Sequence, residues 1–159
     1  MVPRWAQTGS LKSPETYVGH QKAENFVSPG GAAVNTRRAY DLPRRLRLNQ
    51  WALFGEWTVK AEAAVLNAAG GRIAYRFHAR DLHLVMGPAR RRGAIPFRVS
   101  IDGQWPDGNH GVDVDDRGEG TVTEQRLYQL VRQSGPIVDR QFEIEFLDSG
   151  VEAFAFTFG

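Results

Sequence analysis

Arg72-Ile73-Ala74-Tyr75-Arg76-Phe77-His78-Ala79 is the stretch on which the fold class turns. Ile73, Tyr75 and Phe77 fall on one side of an extended chain and Arg72, Arg76 and His78 on the other, the two-residue period of a strand with one buried face. Working outward, Leu82 and Leu84 continue the apolar set with the opposite parity. Strict pleating keeps parity fixed, so a bulge or bend is expected near Arg80-Asp81. Phe97, Val99 and Ile101 alternate with Arg98, Ser100 and Asp102, and Asp102-Gly103 closes that strand. Val112 and Val114 suggest a further short strand before the turn Asp115-Asp116-Arg117-Gly118. Thr121 to Arg132 reads as one long β-rich run. Phe142, Ile144 and Phe146, the turn Leu147-Asp148-Ser149-Gly150, and Phe154, Phe156 and Phe158 read as a closing hairpin with one apolar face.

In the other direction, Trp51 and Leu53 share a face, Gly55 marks a bend, and Trp57 and Val59 follow. Ala-rich Lys60 to Asn67 is where helix competes, but it is short and runs into the turn Ala69-Gly70-Gly71, so strand is preferred. Leu46 and Leu48 alternate with Arg45, Arg47 and Asn49, as a half-buried strand should. Eight to ten strands without an amphipathic helix predict an all-β, two-sheet antiparallel sandwich of the jelly-roll kind.

Residues 1–45 differ in character. Pro3, Pro14, Pro29, Pro43 and Gly30-Gly31 punctuate them, and Tyr17, Val18, Phe26 and Val27 are the apolar residues able to pin such an arm onto a core. An irregular N-terminal arm over 1–45 and a sandwich over 46–159 are therefore expected, with room for a single helical turn between Ser13 and Phe26.

At 159 residues and 42% hydrophobic, the chain is long enough to bury one core. Its 20 Lys and Arg against 18 Asp and Glu leave a formal charge of +2. The pI near 9.2 is thus weak evidence for a polyanion partner. Basic residues are scattered apart from Arg37-Arg38, Arg44-Arg45 and Arg90-Arg91-Arg92, which sit in turn-like contexts and read as solvated loops, so no nucleic acid is expected as partner. Cysteine is absent, which removes disulfides, thiolate metal sites and dithiol redox chemistry from this chain. Met1-Val2-Pro3-Arg4-Trp5-Ala6-Gln7 lacks the apolar core of a signal peptide, and no apolar run is long enough to cross a bilayer, so membrane insertion is not expected.

Several blocks carry a resemblance. Leu48-Asn49-Gln50-Trp51-Ala52-Leu53 with Gly55-Glu56-Trp57, then Gly71 through Leu82, His110-Gly111-Val112-Asp113-Val114-Asp115, Thr121 through Leu130 and Phe154-Ala155-Phe156-Thr157-Phe158-Gly159 occur in the order found in DipZ-type thioredoxin-like proteins. Their C-terminal module resembles this chain over most of residues 14–159, and Ser13-Pro14-Glu15-Thr16-Tyr17-Val18-Gly19 resembles the segment just past the thioredoxin domain. The resemblance implies an accessory sandwich, similar to a carbohydrate-binding module, that follows an extracytoplasmic thioredoxin domain and, where present, a cytochrome-biogenesis-like membrane electron carrier. Thiol chemistry does not carry over, because the Cys-x-x-Cys is missing. Partners implied are a cell-wall or other glycan and the thioredoxin-like domain of the same or a neighbouring chain, with a homodimer as an alternative. No cofactor is expected.

Sugar recognition joins an aromatic platform to planar hydrogen-bonding side chains. Trp51 and Trp57 pair in parity with Leu53 and Val59 and read as core. Tyr128 is a further aromatic candidate. Trp105, in the polar loop Asp102-Gly103-Gln104-Trp105-Pro106-Asp107-Gly108-Asn109, is the better exposed candidate. The polar candidates are Arg76, His78, Arg80, Asp81 and His83 around the inferred bulge, with Gln125 and Gln129 reaching them from a neighbouring strand. Asp113, Asp115 and Asp116 supply oxygen ligands for calcium, but the twelve-residue loop pattern is not met and an Asp-Gly turn is the better reading. A sugar hydrolase would need two opposed carboxylates, such as Asp81 and Glu124, and nothing selects them.

Overall fold

In a computed structural model, which describes residues 11–89 and 93–159, the chain is built from strands. Eleven strands and a single 3-10 turn make up its regular structure among those residues: β1 Thr16–Tyr17, β2 Arg37–Tyr40, β3 Trp51–Val59, β4 Ala64–Leu66, β5 Arg72–Phe77, β6 Asp81–Pro88, β7 Ile95–Ile101, β8 Glu119–Val122, β9 Arg126–Arg132, β10 Arg140–Phe146 and β11 Val151–Phe158. No helix among the described residues is long and apolar enough to cross a membrane. The expected helical turn between Ser13 and Phe26 is not formed. Ser13 and Asn49 side chains hydrogen-bond each other at 2.6 Å, and the Gln21 amide donates to the Ala61 carbonyl, so the segment is tied to the sandwich instead of to itself.

The pairings give two antiparallel sheets, β4-β11-β6-β9 and β5-β10-β7-β8, the eight-strand order of a jelly roll. β3 belongs to both. Trp51 to Phe54 pair with β5, whereas Trp57 to Val59 pair with β4, and β2 lies along the outer edge of that second half. Gly55 turns the corner with φ +99, and a Cβ there would lie 2.9 Å from the Gly71 Cα, so this crossing needs glycine for conformation and for space. The Ala-rich segment is a strand, β4, as expected, although only from Ala64 to Leu66.

Two sequence expectations change, and a third takes its form, for one reason: consecutive strands lie in different sheets. β10 and β11 do not form a hairpin. β10 pairs with β5 and β7 while β11 pairs with β1, β4 and β6, so Leu147 to Gly150 arch across the core. The Thr121 to Arg132 run is divided between β8 and β9 in opposite sheets. Its corner is held by Tyr128, whose hydroxyl accepts the Thr123 and Glu124 amides and donates to the Glu124 carbonyl. The parity change near Arg80-Asp81, expected as a bulge or bend, is a bend at Ala79-Arg80 where the chain crosses from β5 to β6. True register shifts occur elsewhere, at Leu130 of β9 opposite Leu82–His83 and at Phe154 between Ala153 and Ala155 of β11. The second shift takes Phe154 off the face of Phe156 and Phe158. Val112 and Val114 lie in turns instead of a strand, and Val112 is exposed; Leu46 to Leu48 form no strand either, with Leu46 buried and Leu48 exposed.

Between the sheets lies one aromatic-rich core. Ile73, Tyr75 and Phe77 of β5 face Phe156 and Phe158 of β11, with Tyr75 ring centroids 5.1 Å from each phenylalanine. Trp57 meets Phe146 edge to face. Buried polar groups here find partners: the Tyr75 and Thr16 hydroxyls lie 2.6 Å apart, and the indole N–H groups of Trp51 and Trp57 donate to the Glu24 and Phe54 carbonyls.

Candidate functional site

β7 ends at Ile101, and Asp102-Gly103 reverse the chain with φ of +53 and +77, the positive pair that a tight two-residue turn of this hand requires. Ile101 and Gln104 exchange backbone hydrogen bonds across it. The chain then runs through Trp105 and Pro106 into the 3-10 turn Asp107–Asn109, with Asp107 also left-handed at φ +48. Non-glycine residues in that region cost about 1 kcal/mol or more each and persist where surrounding contacts impose them. Here the contacts are identifiable. The Asp107 amide donates to the Asp116 carbonyl, and Asn109 Oδ1 accepts the Ser134 amide and hydroxyl. Asp102 accepts Arg140 Nη1 at 2.9 Å and the Gln141 amide at 2.8 Å.

The result is a cleft of about 340 Å³ bounded by Asp102, Gln104, Trp105, Asp107, Asn109 and Arg140. Trp105 is 56% exposed. The Arg117 guanidinium lies over the ring, 5.1 Å from its centroid. Its indole N–H has no acceptor among the described residues, and neither the Gln104 amide nor the Asp107 carboxylate has a side-chain partner there. Chemically this is an apolar plate beside uncommitted planar donors and acceptors, with a guanidinium fixed by a carboxylate at one wall.

The other sequence candidates form two groups on opposite outer faces. Arg76 and His78 lie on the β5 side, where His78 Nδ1 is 2.6 Å from Asp139 Oδ1 and Arg76 is 4.0 Å from the same carboxylate. Asp81, His83 and Gln129 lie on the β6–β9 side: His83 is paired with Gln129 in register, and Asp81 is 3.7 Å from Arg132. Arg80 is exposed in the crossing, and Gln125 packs over Gly87. The expected single cluster around a bulge is therefore not formed, because the residues before and after Arg80 enter different sheets. Tyr128, an aromatic candidate, is buried at its corner.

Asp113 and Asp115 serve the loop itself. Asp113 receives Arg126 Nη2 at 2.9 Å and the Gln129 amide at 2.7 Å. Burial alone would raise its pKa, but the Arg126 and Gln129 hydrogen bonds and the Arg126 charge hold it below the usual aspartate value. Asp115 Oδ1 accepts the Arg117 and Glu119 amides, an Asx-turn arrangement, while Asp116 is exposed. Among the described residues no group of three or more His, Cys, Asp or Glu is placed to hold a metal ion. Asp81 and Glu124 stand near opposite ends of the β6–β9 pair, roughly 17 Å or more apart at strand rise, too far for two carboxylates acting across one glycosidic bond.

Residues missed by sequence reading are Asp102, Gln104, Asp107, Asn109 and Arg140. The first four lie in the loop already noted for Trp105, whose Asp-Gly turn and Pro106 were legible. Arg140 carried no local signal, since β10 delivers it from far along the chain.

Residues 13–159 match the family described as the thioredoxin-like C-terminal domain. The chain belongs to that family. It is 31% identical over 130 residues, 79% of its length, to Protein DipZ of Mycobacterium bovis and equally to Protein DipZ of Mycobacterium tuberculosis. The aligned stretch spans only 18% of each of those relatives. Among solved structures, a family two carbohydrate esterase from Clostridium thermocellum in complex with cellohexaose is similar at a TM-score of 0.47 and 12% identity, covering 62% of this chain and 27% of that one.

Proposed function

We propose that this thioredoxin-like C-terminal domain is a non-catalytic, carbohydrate-binding accessory module of an exported, extracytoplasmic DipZ-like thiol–disulfide protein. The observation that carries the reading is Trp105: a 56% exposed ring with an unbonded indole N–H, beside the unpartnered Gln104 and Asp107 side chains. Pyranose C–H faces pack on such rings while vicinal hydroxyls take planar forks. A chain without cysteine leaves the redox step to the thioredoxin-like domain. The test is binding to a broad panel of immobilised glycans, with Trp105→Ala alongside. Retention of specific glycans by the native chain and at least about tenfold weaker retention by the variant support the reading. Silence across the panel, or equal binding by both proteins, removes it.

A second reading, a module that orients the thioredoxin-like domain or joins two copies, rests on a different surface. Tyr17, Ala61 and Phe154 line a mostly apolar groove of about 240 Å³ where β1 meets β11. Solution scattering of the chain alone and mixed with the redox domain tests it. Tyr17→Arg should abolish any complex formed there.

A further inference from the structure

In the sequence the adjacent pair Arg44-Arg45 reads as a solvated loop, yet the fold places it with Arg76 around a second cleft of about 290 Å³ on the outer side of β5 and β10. Gln141 and Glu143 complete its polar wall. The reason lies in the chain before β3. Leu46 is buried against Ala52 and Ala74, with Leu42 and Val27 packed beside them, so a small satellite core clamps the Leu42 to Leu46 segment onto the sheet. That clamp positions a loop that would otherwise be solvated. Neither Arg44 nor Arg45 has a side-chain hydrogen bond or ion-pair partner among the described residues. Arg76 reaches Asp139 Oδ2 only at 4.0 Å, and the other oxygen of that carboxylate, Oδ1, lies 2.6 Å from His78 Nδ1. Three guanidinium groups thus border one cleft against a single lining carboxylate, Glu143.

This cleft and the Trp105 cleft lie on either side of β10, since consecutive residues of a strand point to opposite faces. Arg140 lines one and Gln141 lines the other, and Asp102 fastens both residues, through Arg140 Nη1 and the Gln141 amide. A ligand with a ring on Trp105 and a substituent turned round the end of β10, past Asp102, would bring that substituent to the arginines. Guanidinium forks match carboxylate and phosphate oxygens in pairs, and such charge-assisted bonds are the strong ones.

We propose that the module's glycan is anionic, and that Arg44, Arg45 and Arg76 receive the carboxylate or phosphate it carries. This rests on the glycan reading of the Trp105 cleft and adds the charge of the ligand to it. Glu143 and Gln141 accept and donate to neighbouring hydroxyls.

The experiment is calorimetric titration of the whole chain with three probes: a uronic-acid oligosaccharide, the same oligosaccharide with its carboxyl groups reduced to alcohols, and an oligosaccharide carrying phosphate. Inorganic phosphate is titrated alone as a fourth. The native chain should prefer an acidic probe over the reduced one by at least about tenfold at low salt, and the preference should shrink as salt rises. Whichever of the uronate and phosphate probes binds tighter identifies the source of the charge. In the double variant Arg44→Glu, Arg45→Glu, whose positions are exposed and whose fold is checked by its thermal transition, the ratio should fall to about one. Equal affinity for acidic and reduced probes, or a preference that survives the double variant, overturns this inference while leaving glycan binding intact. Binding of inorganic phosphate with no binding of any saccharide overturns the glycan reading and, with it, the anionic glycan. No binding of any probe overturns both.

Discussion

Trp57 and Trp105 are the same side chain in two physical situations. Trp57 is fully buried, donates its indole N–H to the Phe54 carbonyl, and meets Phe146 edge to face between the sheets. Trp105 is exposed, has no acceptor for its indole, and rides on a loop whose flanking aspartates hold left-handed backbone. The first residue lowers the energy of the folded state by removing apolar surface from water. The second leaves surface and hydrogen-bonding capacity unused, and the loop keeps a strained conformation to present it. The difference separates residues that make the sandwich from residues that the sandwich displays.

The contrast breaks most visibly at Trp57. Trp57→Ala should lower unfolding stability by about 3–5 kcal/mol in denaturant titration, and a loss below about 1 kcal/mol would remove Trp57 from the core set. Gly118 supports the displayed loop. It has φ +80, its carbonyl accepts the Val99 amide, and a Cβ there would lie 1.9 Å from the Val99 carbonyl oxygen and 3.1 Å from Pro106 Cδ. Gly118→Ala should cost about 3 kcal/mol and disturb the Trp105 loop together with the fold, read by thermal unfolding and by Trp fluorescence.

Tyr128 lies between the two extremes, a buried ring whose hydroxyl caps a corner. Tyr128→Phe leaves the Thr123 and Glu124 amides without that acceptor and should cost about 1–3 kcal/mol; an unchanged denaturation midpoint would refute the capping role. Asp113 ties the 111–118 loop to β9 electrostatically. Its folded pKa lies below the unfolded value, so its stabilisation is present above the ordinary aspartate range and is lost as pH falls through the folded value. Unfolding midpoints measured from neutral to acid pH should therefore decline less steeply in Asp113→Asn than in the native chain. Equal slopes would show that Asp113 does not contribute. At the small end, Trp105→Ala should change stability by less than about 0.5 kcal/mol, since the ring packs little against the core.

Pleating made much of this readable. The alternation in β5, β7 and β10 named the inward residues, and Ile73, Phe97 and Phe142 are all buried. The parity of Trp51 with Leu53 and of Trp57 with Val59 marked both tryptophans as core, and the polar loop around Trp105 marked its exposure. What could not be read was adjacency. A two-residue period says that Phe146 and Phe156 face inward, but it is silent on whether they share a sheet or face each other across the core. Hence the arch from β10 to β11 looked like a hairpin, and Arg76 and His83 looked like neighbours although they stand on opposite outer faces. Arg44 and Arg45 looked solvated because the Leu46 anchor beneath them is a contact with Ala52 of β3 and Ala74 of β5.

By itself, then, the order of residues determined the class of structure, the inward face of most strands, the absence of thiol chemistry, and the family. Those are local or compositional properties, set by side-chain alternation, turn chemistry and the presence or absence of an atom type. Tertiary structure alone decided which strands pair, which polar groups meet, and where the two clefts lie. Those depend on hydrogen bonds between segments far apart in the chain, such as Asp102 with Arg140, whose partners are chosen by the packing of two whole sheets.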